Sequence, residues 1–349
     1  MIIRSVALRT PSQCLTNEDI LQRIREYNVR APSDDVLRYC RKIGAMFENV
    51  GAETRYIRDR KGGEKGFDLI MDAMRAALEE ASMTAAKIDL VIFCGVGRGF
   101  LEPANAAFIA KALGGTCQAF DISEACMSWV RALQVANGFL AAMSYSNILV
   151  VNAEFGVHEH GLPGILGIRS DAHLEFSFPS LTIGEGVSAT VLSRSENRWN
   201  FKFKSIPKYA SLCNLPLDGF EDYCEPDPRI GANGNHQLAA YGQRLGLVAI
   251  REMIAFVRQN YQNATNIAAV DAWLPHNPGE AGLALMATRL GLGSKLHTGI
   301  FRKFGNLVSA SIPAALYTAT RDGRLKRGDR IVFCPASAGM SFGLVEGVY

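Results

Sequence analysis

Gln118-Ala-Phe-Asp-Ile-Ser-Glu-Ala-Cys126-Met-Ser-Trp-Val-Arg-Ala-Leu133 changes period in its middle. Its start reads as a strand. From Cys126 to about residue 142 the apolar residues Trp129, Leu133, Ala136 and Leu140 recur at helical spacing. Cys126 therefore falls at a strand-to-helix corner, near a helix N-terminus, where unpaired N–H groups and the helix dipole favour an anion. A thiol there is expected to titrate below its ordinary pKa of about 8.5 and to supply thiolate for attack. The alternative is a buried thiol that packs the corner, the usual lot of a free cysteine.

Around this corner strand and helix signals alternate. Ile88–Cys94 and Asn147–Asn152 are short apolar runs suited to strands buried on both faces. Helical patterns cover 104–113 and 126–142 between them. Upstream lie a helix starting at Thr16, with Asp19 completing a near capping box, and helices over Ser33–Ile43 and Phe67–Ser82. The order then repeats. Ala268–Leu274 resembles 88–94, Ile331–Cys334 resembles 147–152, and 308–320 resembles 126–142, all displaced by about 180 residues. This predicts a tandem duplication of one α/β unit, with halves 1–175 and 176–349, and helices layered on mostly buried sheets. The stretch 155–180, rich in Gly, Pro and His, is expected to be a loop, and Arg58–Lys65 a solvated charged loop.

The second half offers three further candidates. His276, in Trp273-Leu-Pro-His276-Asn-Pro-Gly279, directly follows an apolar strand, at the sheet edge where ligands of α/β folds collect. A histidine there can donate to a thioester oxygen or move a proton; the alternative is a histidine satisfying loop carbonyls. Asn306 lies just before the position that the duplication makes equivalent to Cys126, so a pseudo-twofold axis is expected to bring Cys126, His276 and Asn306 together. Its amide is an oxyanion donor or, more plainly, a helix cap. Gly339, in Pro335-Ala-Ser-Ala-Gly-Met340, is either the backbone donor that completes an oxyanion hole or a turn glycine.

Composition excludes several classes. With 349 residues, 48% hydrophobic and 20% charged, the chain reads as an ordinary globular protein, and a net charge of +3 is too small for a nucleic-acid binder. No apolar run reaches the length of a membrane span. The N-terminus lacks the pattern of a secretory signal, so a cytoplasmic location is expected and the eight scattered cysteines read as free thiols. No metal site is expected: His158 and His160 are only a pair, and Cys213, Cys224 and His236 are too widely spaced. No Gly-rich phosphate loop is present.

At these residues the chain resembles the thiolase superfamily, and within it the ketoacyl-acyl-carrier-protein synthase III type. The resemblance runs nearly end to end, through Phe120–Cys126, Gly184-Glu-Gly186, Pro275-His276, Gly305-Asn306 with Ser309–Ser311, and Asp322-Gly323 leading to Gly328-Asp329. It implies a five-layered αβαβα fold of two duplicated halves and a homodimer. It also implies a Cys126–His276–Asn306 site reached by phosphopantetheine thioesters, with Gly339 and the Cys126 amide as the oxyanion hole. No metal or redox cofactor is implied, only acyl-coenzyme A or acyl-carrier-protein thioesters as substrates, with the carrier protein as a partner. The sequence departs from the type after His276: the run His276-Asn-Pro-Gly-Glu-Ala281 puts Ala281 where family members carry an arginine for carrier docking. Leu101-Glu102-Pro103, ahead of a helix, looks like the branch that condenses two acyl chains head to head, which includes olefin-pathway and pyrone-forming enzymes. That likeness makes Glu102 the base that serves the partner subunit's site; otherwise it is an exposed carboxylate at a helix start.

The reading is a ketosynthase of secondary metabolism that condenses a Cys126-bound acyl group with a second acyl or malonyl-type thioester. One rival transfers the acyl group to an oxygen or nitrogen nucleophile. The other is a non-catalytic subunit paired with an active homologue.

Overall fold

A computed structural model of the chain describes residues 1–155, 165–261, 264–276 and 278–349. Two five-stranded sheets form its centre. The first runs in the order Ile2–Arg9, Gly186–Ser193, Asn147–Glu154, Leu90–Cys94, Gln118–Ile122, the last three mutually parallel. The second places Asn200–Ser205, Ser341–Val348, Arg330–Cys334 and Ala272–Pro275 in the matching order, with the short strand Ala336–Ser337 also pairing Ser341–Val348. A lone parallel bridge from Trp273 to Leu296 stands where the first sheet has its Gln118–Ile122 edge.

Period-two alternation sorts the strand residues between layers. In Leu90–Cys94, Leu90, Ile92 and Cys94 face the middle of the molecule, and Val91 and Phe93 face outward. The middle layer is a pair of helices, Ser128–Ala141 and Ser311–Arg321, which fill the space between the sheets with Trp129, Leu133, Ile312 and Leu316. Helices Gly66–Glu80 and Asn105–Ala112 cover the outer face of the first sheet, and Gly242–Asn260 and Glu280–Leu290 that of the second. Five layers, αβαβα, result. Among the described residues no helix is long and apolar enough to cross a membrane.

Local signals hold where they are strong. Thr16 Oγ1 accepts the Asp19 N–H at 3.2 Å and Asp19 Oδ2 accepts the Thr16 N–H at 2.7 Å, a full capping box for Asn17–Tyr27. Three expectations need correction. The halves do not divide at 175. Gly186–Ser193 pairs antiparallel with both Ile2–Arg9 and Asn147–Glu154, so it belongs to the first sheet, and the second begins at Asn200. The 155–180 stretch is not all loop: Asp171–Ser177 is helical and Phe178–Thr182 a 3-10 turn. Arg58 is not solvated either, because its guanidinium pairs at 3.1 Å with the buried Glu185.

Candidate active site

The chain leaves the strand Gln118–Ile122, turns through Ala125 at φ 45°, makes a 3-10 turn over Ala125–Met127 and enters the helix Ser128–Ala141. Side-chain hydrogen bonds pin this corner. Ser128 Oγ donates to the Ala125 carbonyl at 2.7 Å and accepts the Glu124 N–H at 2.8 Å. From the second half, Ser337 Oγ accepts the Met127 N–H at 3.2 Å and donates to the Glu124 carbonyl at 3.1 Å. Residues beside Cys126 are thus tied to both halves.

The thiol of Cys126 does not titrate low. Burial pushes its pKa up well past the ordinary range, with smaller upward contributions from Cys213 and Glu154. Its own N–H and that of Ala338 act in the opposite direction, and burial outweighs them. The sequence expectation counted the helix terminus, which is local, and missed desolvation, which depends on what the rest of the chain lays over the corner. Ala338, whose backbone opposes that upward shift, directly precedes Gly339. Gly339 itself sits at a φ of 118°, where residues with a side chain are strained.

His276 follows Ala272–Pro275, whose last residue pairs with Cys334, two residues before the Ala336–Ser337 strand. It is buried, its Nδ1 has no hydrogen-bond partner among the described residues, and burial lowers its pKa to about 4, so the ring is neutral at neutral pH. Asn306 precedes a 3-10 turn, Val308–Ala310, that packs on the Cys126 turn and repeats its geometry, with Val308 at φ 50° matching Ala125. Asn306 Oδ1 accepts the Val308 N–H at 2.9 Å, which leaves the amide NH2 as the face available to a ligand. Cys126, His276 and Asn306 thus all lie at the carboxyl-end side of the central strands, near the junction of the halves. Glu102 is exposed, in the loop before Asn105–Ala112. Ala281 is also exposed, in the first turn of Glu280–Leu290. His158 and His160 lie outside the described residues, and His236 is held by Asp218 at 3.1 Å.

Two residues of this region escaped the sequence reading. Cys213, on a two-residue strand, is close enough for its charge to act on Cys126, and burial pushes its own pKa up to about 11. Glu154 ends the strand Asn147–Glu154, buried from its second residue on, and burial raises its pKa to about 7. A carboxylate closing a buried parallel strand was the available signal, since that edge is where α/β folds place ligands.

Comparison with known proteins agrees with this geometry. Residues 120–158 match the family model of 3-oxoacyl-[acyl-carrier-protein] synthase III, and 261–345 that of its C-terminal part. The chain is 27% identical over 288 residues to the beta-ketoacyl-[acyl-carrier-protein] synthase III of Vesicomyosocius okutanii, covering 82% of this chain and 85% of that one. It is 26% identical over 345 residues to that of Clostridium perfringens strain ATCC 13124, covering 96% and 95%. Among solved structures, a variant of Xanthomonas campestris OleA with bound lauric acid and lauroyl-CoA superposes with TM-score 0.81 at 23% identity, over 99% of this chain and 98% of that one, a likeness of fold. Fold and relatives together define a thiolase-like condensing enzyme, a transferase. Within that class the chain is similar to the ketoacyl synthase III type.

Proposed function

We propose that this enzyme is a ketosynthase of secondary metabolism that joins two acyl thioesters by Claisen condensation through an acyl group on Cys126. The observation that carries the reading is that the Cys126 turn packs directly on the turn after Asn306, with Ser337 of the second half bonded to the residues on either side of the thiol. Thiol and imidazole both start neutral, so the proton leaves sulfur for His276 as the S–C bond forms, not before. The thioester carbonyl becomes an oxyanion held by the backbone N–H groups of Cys126 and of the Ala338–Gly339 turn. Collapse expels the carrier thiol, which takes the proton from His276. In the second step a base removes an α-proton from the second thioester. The resulting carbanion attacks the Cys126-bound carbonyl, with His276 and the Asn306 amide as donors to its oxygen. The Cys126 thiolate then departs, leaving a β-ketoacyl thioester.

Glu102 of a partner subunit is the base in this reading. It is supported by a face that a single chain leaves open. Phe100 and Phe108 stack at 4.5 Å beside Glu102 and, with Leu101, are exposed. The neighbouring strand Gln118–Ile122 is paired on one side only among the described residues. An open strand edge beside an apolar patch suits a second copy of the chain. The carrier protein as partner is supported by Arg244, Arg251 and Arg258, seven residues apart on one face of Gly242–Asn260, beside the exposed Leu247 and Arg289. These cationic side chains offer an acidic partner contacts that Ala281 does not.

The test is to mix the enzyme with a panel of acyl-coenzyme A and acyl-carrier thioesters, including the lauroyl chain found in OleA, and to follow intact mass and products. Acylation of Cys126 and a product containing both chains are expected. Acylation of Cys126→Ala at the wild-type rate, or acyl transfer to an oxygen or nitrogen acceptor without a new carbon–carbon bond, would refute the reading.

A further inference from the structure

Glu154 is a buried carboxylate that neither step above uses. Every donor on it among the described residues is neutral. The Val96 N–H lies 3.2 Å from each of its oxygens, the Gly97 N–H 3.3 Å from Oε2 and the Ser309 N–H 3.4 Å from Oε1. The Ser309 hydroxyl donates to Oε1 through a short contact and itself accepts from Asn152 Nδ2 at 2.7 Å. These donors come from two separate segments. Val96 and Gly97 open the loop 95–104 that carries Glu102. Ser309 belongs to the turn after Asn306. The backbone must come close for this: a Cβ on Gly95, at φ 148°, would meet the Ala153 carbonyl at 2.9 Å and Glu154 Oε1 at 3.2 Å.

The far end of the same loop is tied as well. The Gly99 N–H donates to Asn105 Oδ1 at 2.9 Å, and Asn105 donates through its backbone and its amide to Asp121 Oδ2, both at 2.9 Å. Glu102 therefore sits on a loop held at its base by Glu154 and at its end by the cap of Asn105–Ala112.

We infer that ionised Glu154 is a positioning residue, which clamps the Glu102 loop against the Asn306–Ser309 turn and so sets the geometry of the condensation step. The inference rests on the reading of Glu102 as the base. Four N–H and O–H donors suit an acceptor-only carboxylate; protonation turns one of its oxygens into a donor facing N–H groups. The other charged or titratable groups on the elements packed around it are Arg98 and Glu102, both exposed on the loop itself, Cys94 and Cys126, thiols held protonated by burial, Asp121, committed to the Asn105 cap, and the Arg58–Glu185 pair. Burial raises the Glu154 carboxyl to about 7, opposed first by the Ser309 hydroxyl. The clamp is set above that pH and released below it.

The experiment separates the half-reactions. Cys126 acylation is read by intact mass and condensation by product, for wild type, Glu154→Gln, Ser309→Ala, Glu102→Ala and the double variant Glu102→Ala/Glu154→Gln. Glu154→Gln is expected to acylate normally and to condense about 10²-fold more slowly, the scale of an ångström-sized misplacement. The double variant should be no slower than Glu102→Ala. Wild-type condensation should lose activity on the acid side with a midpoint near 7, and Ser309→Ala, which removes one donor to the carboxylate, should move that midpoint up without abolishing turnover. This last readout stands even if Glu154→Gln fails to fold. Equal losses in both half-reactions, an unmoved midpoint in Ser309→Ala, or additive losses in the double variant would overturn the clamp. If Glu102→Ala condenses normally, the base reading falls and takes the clamp with it. If Glu102→Ala fails while Glu154→Gln condenses at the wild-type rate, the clamp alone is wrong.

Discussion

Replacing Asn306 tests the oxyanion chemistry against its simplest alternative, because the two ends of its amide do different things. Oδ1 accepts the Val308 N–H at 2.9 Å and helps hold Val308 at φ 50°, a conformation that costs a β-branched residue about 1–3 kcal/mol. The NH2 end is the donor assigned to the reacting carbonyl. Asn306→Ala removes both. Losing the hydrogen bond should cost about 1 kcal/mol, which for a chain of this size lowers Tm by about 1–2 °C. Losing the donor should cost about 10²–10³ in rate, or about 2.7–4 kcal/mol. Asn306→Asp separates the two effects. It keeps an oxygen for the Val308 N–H and places an acceptor where the donor was, so Tm should stay near wild type while the rate falls at least as far as in the alanine variant. Melting curves and single-turnover product formation, read after quantitative acylation of Cys126, provide both numbers. If Asn306→Asp condenses within about threefold of wild type while Asn306→Ala is slow, Asn306 acts by shaping the turn and the donor role is refuted.

Other perturbations have signs set by the same structure. His276→Ala should lose at least about 10² in turnover with little change in Tm, because the ring it removes carries a buried, unpartnered Nδ1; near-normal turnover would refute the assignment. Dimers mixing Cys126→Ala chains with Glu102→Ala chains should recover roughly half the wild-type activity per dimer, since one site collects both lesions and the other is whole. If Glu102 serves its own chain, every mixed site stays broken. Acid should destabilise the fold between about pH 6.5 and 4, because His276 and His297, neutral when buried with pKa values of about 4, must take up protons that the unfolded chain binds near 6.5. Glu154, raised to about 7, works the other way as pH falls from 7 toward 4.5. His297→Gln, which can still meet Thr318, should lose less Tm over that interval, and an equal loss would show that His297 contributes nothing to it.

Much of the architecture was legible in one dimension because it rests on short-range periodicity. The apolar runs at 88–94 and 147–152 and the Thr16 capping box each signal structure within a window the chain fills locally, and the repeat at about 180 residues is the same local pattern met twice. The same kind of signal put Cys126, His276 and Asn306 at the ends of elements. The domain boundary was not legible in this way, because Gly186–Ser193 has no local mark saying which sheet it joins; only its pairing with Ile2–Arg9 and Asn147–Glu154 decides that. The direction in which the Cys126 thiol titrates is likewise tertiary. A helix start, visible in sequence, argues for a thiolate, while the desolvation that wins comes from both halves closing over the sulfur. Glu154 shows the same division: its place at the end of an apolar strand can be read from the sequence, but the donors that define it come from residues 96, 97 and 309, and folding alone brings them to one carboxylate.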